Sequence, residues 1–118
     1  MLTGIVKIGE KEYRMSCAAS VNINYYNIFH EDFLSMMNPE EPTKAITPFI
    51  QMAFVMAKQA ELGFAETSKL TKNDFAAWME EFTVADLFAA VGDIQALYLS
   101  STSGTVNSKK NTEEQTDR

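Results

Sequence analysis

The sequence predicts an α+β fold, in which an N-terminal β-hairpin packs on a bundle of four or five helices and a disordered polar tail follows. Three observations lead to this prediction. Apolar and polar residues alternate near the N-terminus, apolar residues then recur at helical spacing, and they almost disappear after residue 100. We therefore divide the chain into one globular domain, residues 1–100, and a tail, residues 101–118.

The first element is a hairpin over residues 5–17. Tyr13, Met15 and Cys17 alternate with polar residues, which is the period of a half-buried strand. Gly9 can adopt the positive φ angle that a short hairpin turn often needs. Because an isolated two-stranded ribbon is only marginally stable in water, its apolar face is expected to lie against the helices.

Two short helical segments follow the hairpin. Asn22 is the predicted N-cap of the first and Asp32 that of the second, which Asn38-Pro39 ends. His30 lies between them, where it tolerates a positive φ angle better than most residues. The apolar residues predicted to point inward are Tyr25, Ile28 and Phe29, then Phe33, Met36 and Met37.

The next helix, residues 48–62, is the most apolar segment of the chain. Thr47 is its predicted N-cap, Pro48 suits the first helical position, and Gly63 suits the position after the helix. Its apolar residues cover an arc of roughly 200°, whereas a helix on a protein surface needs little more than about 100°. The helix is therefore either sandwiched between other elements or partly uncovered. If it is uncovered, the candidate partner-binding residues are Phe49, Met52, Phe54 and Met56.

Two further helices begin with the same pattern, Thr-x-x-Asp, at Thr71 and at Thr83. The threonine hydroxyl can accept a hydrogen bond from a free N–H of the first turn, and the aspartate complements the helix dipole. An aromatic stripe in the first of these helices adds Trp78 and Phe82 to the candidate partner-binding residues. The second helix has an apolar stripe formed by Val84, Leu87, Phe88, Val91, Ile94 and Tyr98.

Charge and composition limit the kinds of partner. The formal charge is −6, and because three basic and three acidic residues after position 100 cancel, residues 1–100 carry all of the excess. An acidic domain repels phosphate backbones and anionic lipids, so neither nucleic acid nor a membrane surface is an expected partner. The N-terminal sequence has no secretion signal, and the longest uncharged apolar run, residues 45–57, is shorter than the roughly 20 residues of a membrane span.

Catalytic and metal-binding chemistry is not expected. One histidine and one cysteine cannot form a His-rich metal site or a cysteine pair. Cys17 falls on the apolar side of a strand, where we expect a buried and unreactive thiol. His30 is interpreted as a turn residue, and no glycine-rich phosphate loop is present. We therefore predict a protein that is not an enzyme and that binds no cofactor and no metal. The single cysteine also excludes an internal disulfide, which fits a reducing cytosol.

The order of the elements is distinctive. The hairpin GIVKIGEKEYRMSCAAS is followed by the step Y-x-x-x-F-x-x-D, formed by Tyr25, Phe29 and Asp32. A proline-started apolar helix, the aromatic segment FAAWMEEF and a final amphipathic helix with a polar tail complete the order. This arrangement resembles the small tail assembly chaperones of long-tailed bacteriophages and prophages. Members of that family often carry glycine where this chain has His30.

The resemblance implies a non-enzymatic chaperone that binds the tape measure protein, a long, helical and apolar chain. Such a chaperone keeps its partner soluble and extended in the host bacterial cytoplasm while tail-tube subunits polymerise, and it is absent from the mature virion. Binding would be helix-on-helix or helix-in-groove, repeated along the partner, with self-association of the bound copies.

The tail also gains a role from the resemblance, because many genes of the family use a −1 ribosomal frameshift near the 3′ end. The longer product recruits the tail-tube protein. Lys109, Lys110 and Asn111 can be encoded by an A-rich slippery run, so this segment is the candidate frameshift site.

Two other functions remain open at this point. A permanent virion component, such as a head–tail connector or a tail completion protein, would use the same apolar surface for a stable interface. A small DNA-associated regulator is the second alternative, and the acidic charge argues against it.

Overall fold

The computed structural model describes residues 2–38 and 40–107, and for residues 102–107 it describes the helical backbone alone. Within these residues the chain forms a two-stranded antiparallel sheet and five α-helices, which confirms the predicted α+β fold. The strands are β1 (Thr3–Ile8) and β2 (Lys11–Ser16). The helices are α1 (Val21–Phe29), α2 (Ile46–Leu62), α3 (Phe64–Thr67), α4 (Lys72–Met79) and α5 (Val84–Asn107). Two 3₁₀ segments, Phe33–Met36 and Pro42–Lys44, lie between α1 and α2.

The hairpin covers one side of the helices, as predicted. Gly9 forms its turn with a φ angle of 66°, and Val6, Ile8 and Met15 are buried on its inner face. β2 packs against α2, and β1 packs against α5. The β1–α5 contact is close, since a Cβ atom added to Gly4 would lie 2.5 Å from Leu97 Cδ1.

Two predicted N-caps are wrong. Ser20 is the N-cap of α1, and the Asn22 side chain instead accepts a hydrogen bond from the Tyr98 hydroxyl at 2.7 Å. This bond joins α1 to α5. α2 begins at Ile46, so Thr47 lies inside its first turn. Pro48 lies in the same turn. Backbone N–H groups have no intrahelical acceptor there, so the missing N–H of Pro48 costs no hydrogen bond.

The two Thr-x-x-Asp starts are confirmed. Before α4, Asp74 Oδ2 accepts a hydrogen bond from the Thr71 backbone N–H at 2.8 Å. Before α5, the Thr83 hydroxyl accepts one from the Asp86 backbone N–H at 3.0 Å. Each bond satisfies a donor that the first turn of a helix, or the residue before it, leaves free.

The end of α1 is formed by His30, which has a φ angle of 61° and donates its backbone N–H to Tyr26 O at 2.8 Å. The next segment is a short 3₁₀ turn after Asp32 instead of a second α-helix. Phe33 is buried, as predicted, whereas Met36 lies at the rim of the core. The Met36 sulfur there lies 3.7 Å from the hydroxyl oxygen of the buried Tyr25.

A buried polar network holds α1 on α2. Asn24 donates to Gln59 Oε1 at 2.8 Å and to Phe64 O at 3.2 Å. Gln59 in turn donates to the Ser20 hydroxyl at 2.7 Å. Because the buried amides of Asn24 and Gln59 both have partners, the network offsets the cost of removing these amides from water.

α2 is the central helix, and its middle turns are enclosed by other elements. β2, α1, α4 and α5 all contact it, and every residue from Phe49 to Ala57 is buried except Gln51, which is half-buried. Gly63 follows the helix with a φ angle of 88°, as predicted. Of the two interpretations of the wide apolar arc, the sandwiched helix is therefore the one observed.

α5 continues to Asn107, beyond residue 101, where the tail was predicted to begin. Ser101 is half-buried, and its hydroxyl donates to Tyr98 O at 2.6 Å. The remainder of the predicted tail, residues 108–118, lies outside the described residues, and so does the candidate frameshift segment with Lys109, Lys110 and Asn111.

Candidate partner-binding surface

Four of the six predicted partner-binding residues lie in the centre of the core. Phe49, Met52, Phe54 and Met56 on α2 each have 0% of their surface exposed. The Phe49 ring contacts the rings of Phe33 and Tyr98, with centroids 5.2 and 5.8 Å apart. The prediction that these four residues contact a partner is wrong, because no partner can reach them while the domain is folded.

Trp78 and Phe82, the other two predicted residues, belong to an aromatic cluster under the hairpin. Trp78 is buried, Phe82 is half-buried in the turn after α4, and their ring centroids are 4.8 Å apart. Tyr13 of β2 packs edge-on against both rings. Trp78 is therefore a core residue, and Phe82 presents only part of its ring to the surface.

The outer face of α5 is apolar and uncovered. Val84 is 71% exposed and Phe88 is 58% exposed. The other exposed residues on this face are small: Ala85, Ala89, Gly92 and Ala96. At the helical angle of 100° per residue, the six positions fall within an arc of about 140°. The same arc also holds Gln95, which is buried at its edge, and Leu99, which lies beyond Ala96 and packs partly against the core. We call these six residues the α5 strip.

The α5 strip has a different boundary along each edge. On one edge, Gln95 donates a hydrogen bond to Thr43 O at 2.9 Å, which holds the 3₁₀ segment Pro42–Lys44 against the helix. On the other edge, a depression of about 310 Å³ lies between α5 and the C-terminal end of β1. Its lining includes Lys7, Asp86 and Asp93. Neither aspartate forms an ion pair with any other residue that the structure describes.

The exposed apolar side chains of the hairpin and of α1 have polar neighbours, whereas Leu62 and Phe64, each 42% exposed, flank the exposed Gly63. On the outer face of the hairpin, Ile5 pairs with Arg14, and Thr3 and Lys7 flank it along the strand. On α1, Ile23 and Tyr26 are exposed beside Asn27. Single exposed apolar residues of this kind are normal for a folded protein, whereas a continuous apolar face is unusual.

A groove of about 440 Å³ runs beside β2, between α2 and α4. Its charged lining residues are the basic Lys11, Arg14 and Lys58 and the acidic Glu12, Glu61 and Glu81. Lys58 and Glu61 form an ion pair at 3.5 Å. The opposite charges balance, so the groove favours neither an anionic nor a cationic ligand.

Reactive side chains are few in the described part of the chain. Cys17 is half-buried, not fully buried as predicted, and burial raises the pKa of its thiol, which lowers its reactivity. Within residues 2–38 and 40–107, no group of three His, Cys, Asp or Glu side chains is placed to hold a metal ion.

No single helix among the described residues is long and apolar enough to cross a membrane. Within the described residues, α4 and the segment Val84–Ser101 together have the length and the apolar composition of a span, but they are bent by 115° relative to each other.

Of the six residues in the apolar stripe that the sequence predicts for α5, only Val84 and Phe88 are exposed. The residues of this helix that are buried against the core are Leu87, Ala90, Val91, Ile94, Gln95 and Tyr98. Val84 and Phe88 lie at the edge of that arc, beyond the elements that cover it. The sequence did contain a signal: the face opposite Ile94 carries alanine and glycine where a surface helix normally carries charged residues.

Comparison of the chain with known protein families, with curated proteins and with solved structures finds no match. The function proposed below therefore depends on the surface described above and on the resemblance in element order.

Proposed function

We propose that the protein is a non-enzymatic tail assembly chaperone, which binds the helical tape measure protein and keeps it soluble and extended while tail-tube subunits polymerise. The observation that carries this proposal is the α5 strip, an apolar helix face that no other described element covers. Continuous exposed apolar surface on a small domain is typical of a protein–protein interaction site.

The mechanism follows from the size and the charge of the domain. One helix face offers a small contact, so each copy binds weakly and can leave when the tube subunits arrive. Many copies along one long partner bind together through avidity. The formal charge of −6 on each copy makes the coated filament acidic, and mutual repulsion keeps such filaments from aggregating.

The proposal includes a second partner, the tail-tube protein, which a longer frameshifted form would recruit. The residues concerned, Lys109, Lys110 and Asn111, follow α5 in sequence. A slippery heptamer at their codons, together with an overlapping −1 reading frame, would support this part of the proposal. The protein would act in the host bacterial cytoplasm and would be absent from mature virions.

Co-expression with a tape measure fragment tests the proposal. We expect the fragment to be insoluble alone and to co-purify with the full chain when both are produced. If the fragment stays insoluble and no complex forms, the result contradicts the proposed mechanism. Mass spectrometry of purified particles separates a chaperone from a connector or completion protein, because a connector remains in the particle at a fixed copy number.

A further inference from the structure

The α5 strip combines two kinds of side chain. Val84 and Phe88 project at its N-terminal end, and small residues continue it toward Ala96. Above Gly92 the surface is open, because a Cβ atom added there would meet no other atom within 4 Å. A second helix can therefore approach α5 closely at Gly92, near the lower end of the interaxial distances of about 8–10 Å that packed helices adopt.

The charged residues of α5 that lie beside the strip are all acidic. α5 carries Asp86 and Asp93 and no lysine or arginine from Val84 to Asn107. Both aspartates line the depression between α5 and β1, and Lys7 is the one basic residue in that lining. The depression is therefore acidic on balance, and its volume of about 310 Å³ can accept a long side chain.

We infer that the α5 strip docks an amphipathic helix of the partner that carries large apolar residues on one stripe and lysine or arginine along one flank. The large residues would fill the space above Ala89, Gly92 and Ala96, while Phe88 packs beside them. A basic side chain on the flank would reach Asp86 and Asp93. This inference deepens the proposed function and rests on it, since it specifies which helices of the tape measure protein are bound.

A second copy of the chain is a poorer occupant of the strip. An α5–α5 pair would bring the same two aspartates of each copy to one interface, and α5 supplies no basic residue to balance them. Like charges at an interface oppose association.

Two synthetic helical peptides of about 20 residues, long enough for measurable helicity, test the chemistry of the partner. Both carry the same leucine stripe, and their flanks carry lysine in one peptide and glutamate in the other. With the full-length chain, calorimetry is expected to give at least tenfold tighter binding of the lysine peptide. That preference should shrink as the ionic strength rises from about 0.05 to 0.5 M. Equal binding of the two peptides, or tighter binding of the glutamate peptide, would overturn the inference.

Two matched variants test the location. Phe88→Gln removes a ring that is 58% exposed on the strip, and Tyr26→Gln removes one that is 56% exposed on α1. We expect Phe88→Gln to weaken binding of the lysine peptide by roughly thirtyfold, the loss typical of a central interface residue, and Tyr26→Gln to have no effect. Equal losses in the two variants, or no loss with Phe88→Gln, would place the site elsewhere.

Asp93→Lys tests the charge directly. Asp93 is exposed on α5, so the substitution should leave the fold intact and reverse the preference between the two peptides. An unchanged preference would contradict the role of this edge. Sedimentation that shows a dimer, dissociated by Phe88→Gln, would instead make the strip a self-interface.

The same variants distinguish failure of this inference from failure of the proposed function. If Phe88→Gln still keeps the tape measure fragment soluble, the function stands and the docking surface is wrong. If the unaltered chain binds the lysine peptide and does not bind the fragment, the surface stands and the assigned partner is wrong.

Discussion

α2 and α5 are the two longest helices of the described chain, and both are apolar over most of their surface. The middle of α2, from Phe49 to Ala57, is enclosed, whereas α5 packs only one side on the core and leaves the α5 strip in solvent. The difference comes from position. α2 lies in the middle of the fold, between the hairpin and α1, while α5 is the last described helix and nothing described packs over it. The width of an apolar arc thus indicates how much cover a helix needs, and the topology decides whether the same chain supplies it.

The largest expected effect is that of a charge placed on the sealed helix. Met52→Asp buries an unpaired carboxylate, and we expect the domain to unfold, because the cost exceeds about 4–5 kcal/mol and approaches the whole stability of a small domain. Val84→Asp is the matched control on α5, in the exposed first turn of the helix, where a negative charge is favourable. Urea denaturation followed by circular dichroism compares them. A folded Met52→Asp protein would show that α2 is less enclosed than described.

Removal of a ring gives a smaller difference between the two helices. Phe54 is fully buried and packs against Phe75 and Trp78, with ring centroids 5.5 and 5.6 Å apart. Phe54→Ala is expected to lower the free energy of unfolding by about 3–5 kcal/mol, and Phe88→Ala on the strip by less than about 1 kcal/mol. Both losses are measured as shifts of the urea midpoint at constant slope. Similar losses in the two variants would contradict the difference in burial between Phe54 and Phe88.

The sequence predicted the elements better than it predicted their surroundings. The hairpin and the start of α4 could be placed from nearby residues alone. They depend on local signals, which are the alternation of Tyr13 and Met15 and the Thr-x-x-Asp pattern at Thr71. Exposure is different, because the cover of Phe49 comes from Phe33 and Tyr98, which are distant in sequence. Nearby residues therefore did not show that Phe49, Met52, Phe54 and Met56 are enclosed, although the inference that apolar surface is left uncovered agrees with the exposure of Val84 and Phe88.

The dependence of stability on alkaline pH tests how deeply the core encloses a tyrosine hydroxyl of α1. Tyr25 is fully buried against α2 and donates its hydroxyl proton to Gln51 Oε1 at 2.6 Å. Burial, and secondly the charge of Glu31, raise its pKa to about 12, whereas in the unfolded chain it is about 10.

Between these pH values the unfolded state loses the proton and the folded state keeps it. The stabilisation is thus complete below about pH 10 and is lost as the pH rises toward 12, by roughly 1.4 kcal/mol per pH unit for one group. Urea midpoints measured between about pH 9 and 11 should fall less steeply in Tyr25→Phe. An identical slope in both proteins would argue against a buried Tyr25.

The smallest expected effect is that of a polar substitution on the strip. Phe88→Gln replaces an exposed ring with a good helix former, so we expect the free energy of unfolding to change by less than about 0.5 kcal/mol. Thermal denaturation of the variant beside the unaltered chain checks this value. A loss of several kcal/mol would mean that Phe88 supports the core, and the strip would then not be a free surface.

Thiol labelling tests the contrast between the two helices most directly. In a Cys17→Ala background, Phe88→Cys and Met52→Cys place one thiol on each helix, and a maleimide reports the rate at which each thiol reacts. We expect the thiol at position 88 to react about as fast as an unstructured one and to be protected by the lysine-flanked helical peptide. The thiol at position 52 should react only when the domain unfolds. Equal rates at the two positions, or no protection of position 88 by the peptide, would contradict the assignment of α2 to the core and of α5 to the partner.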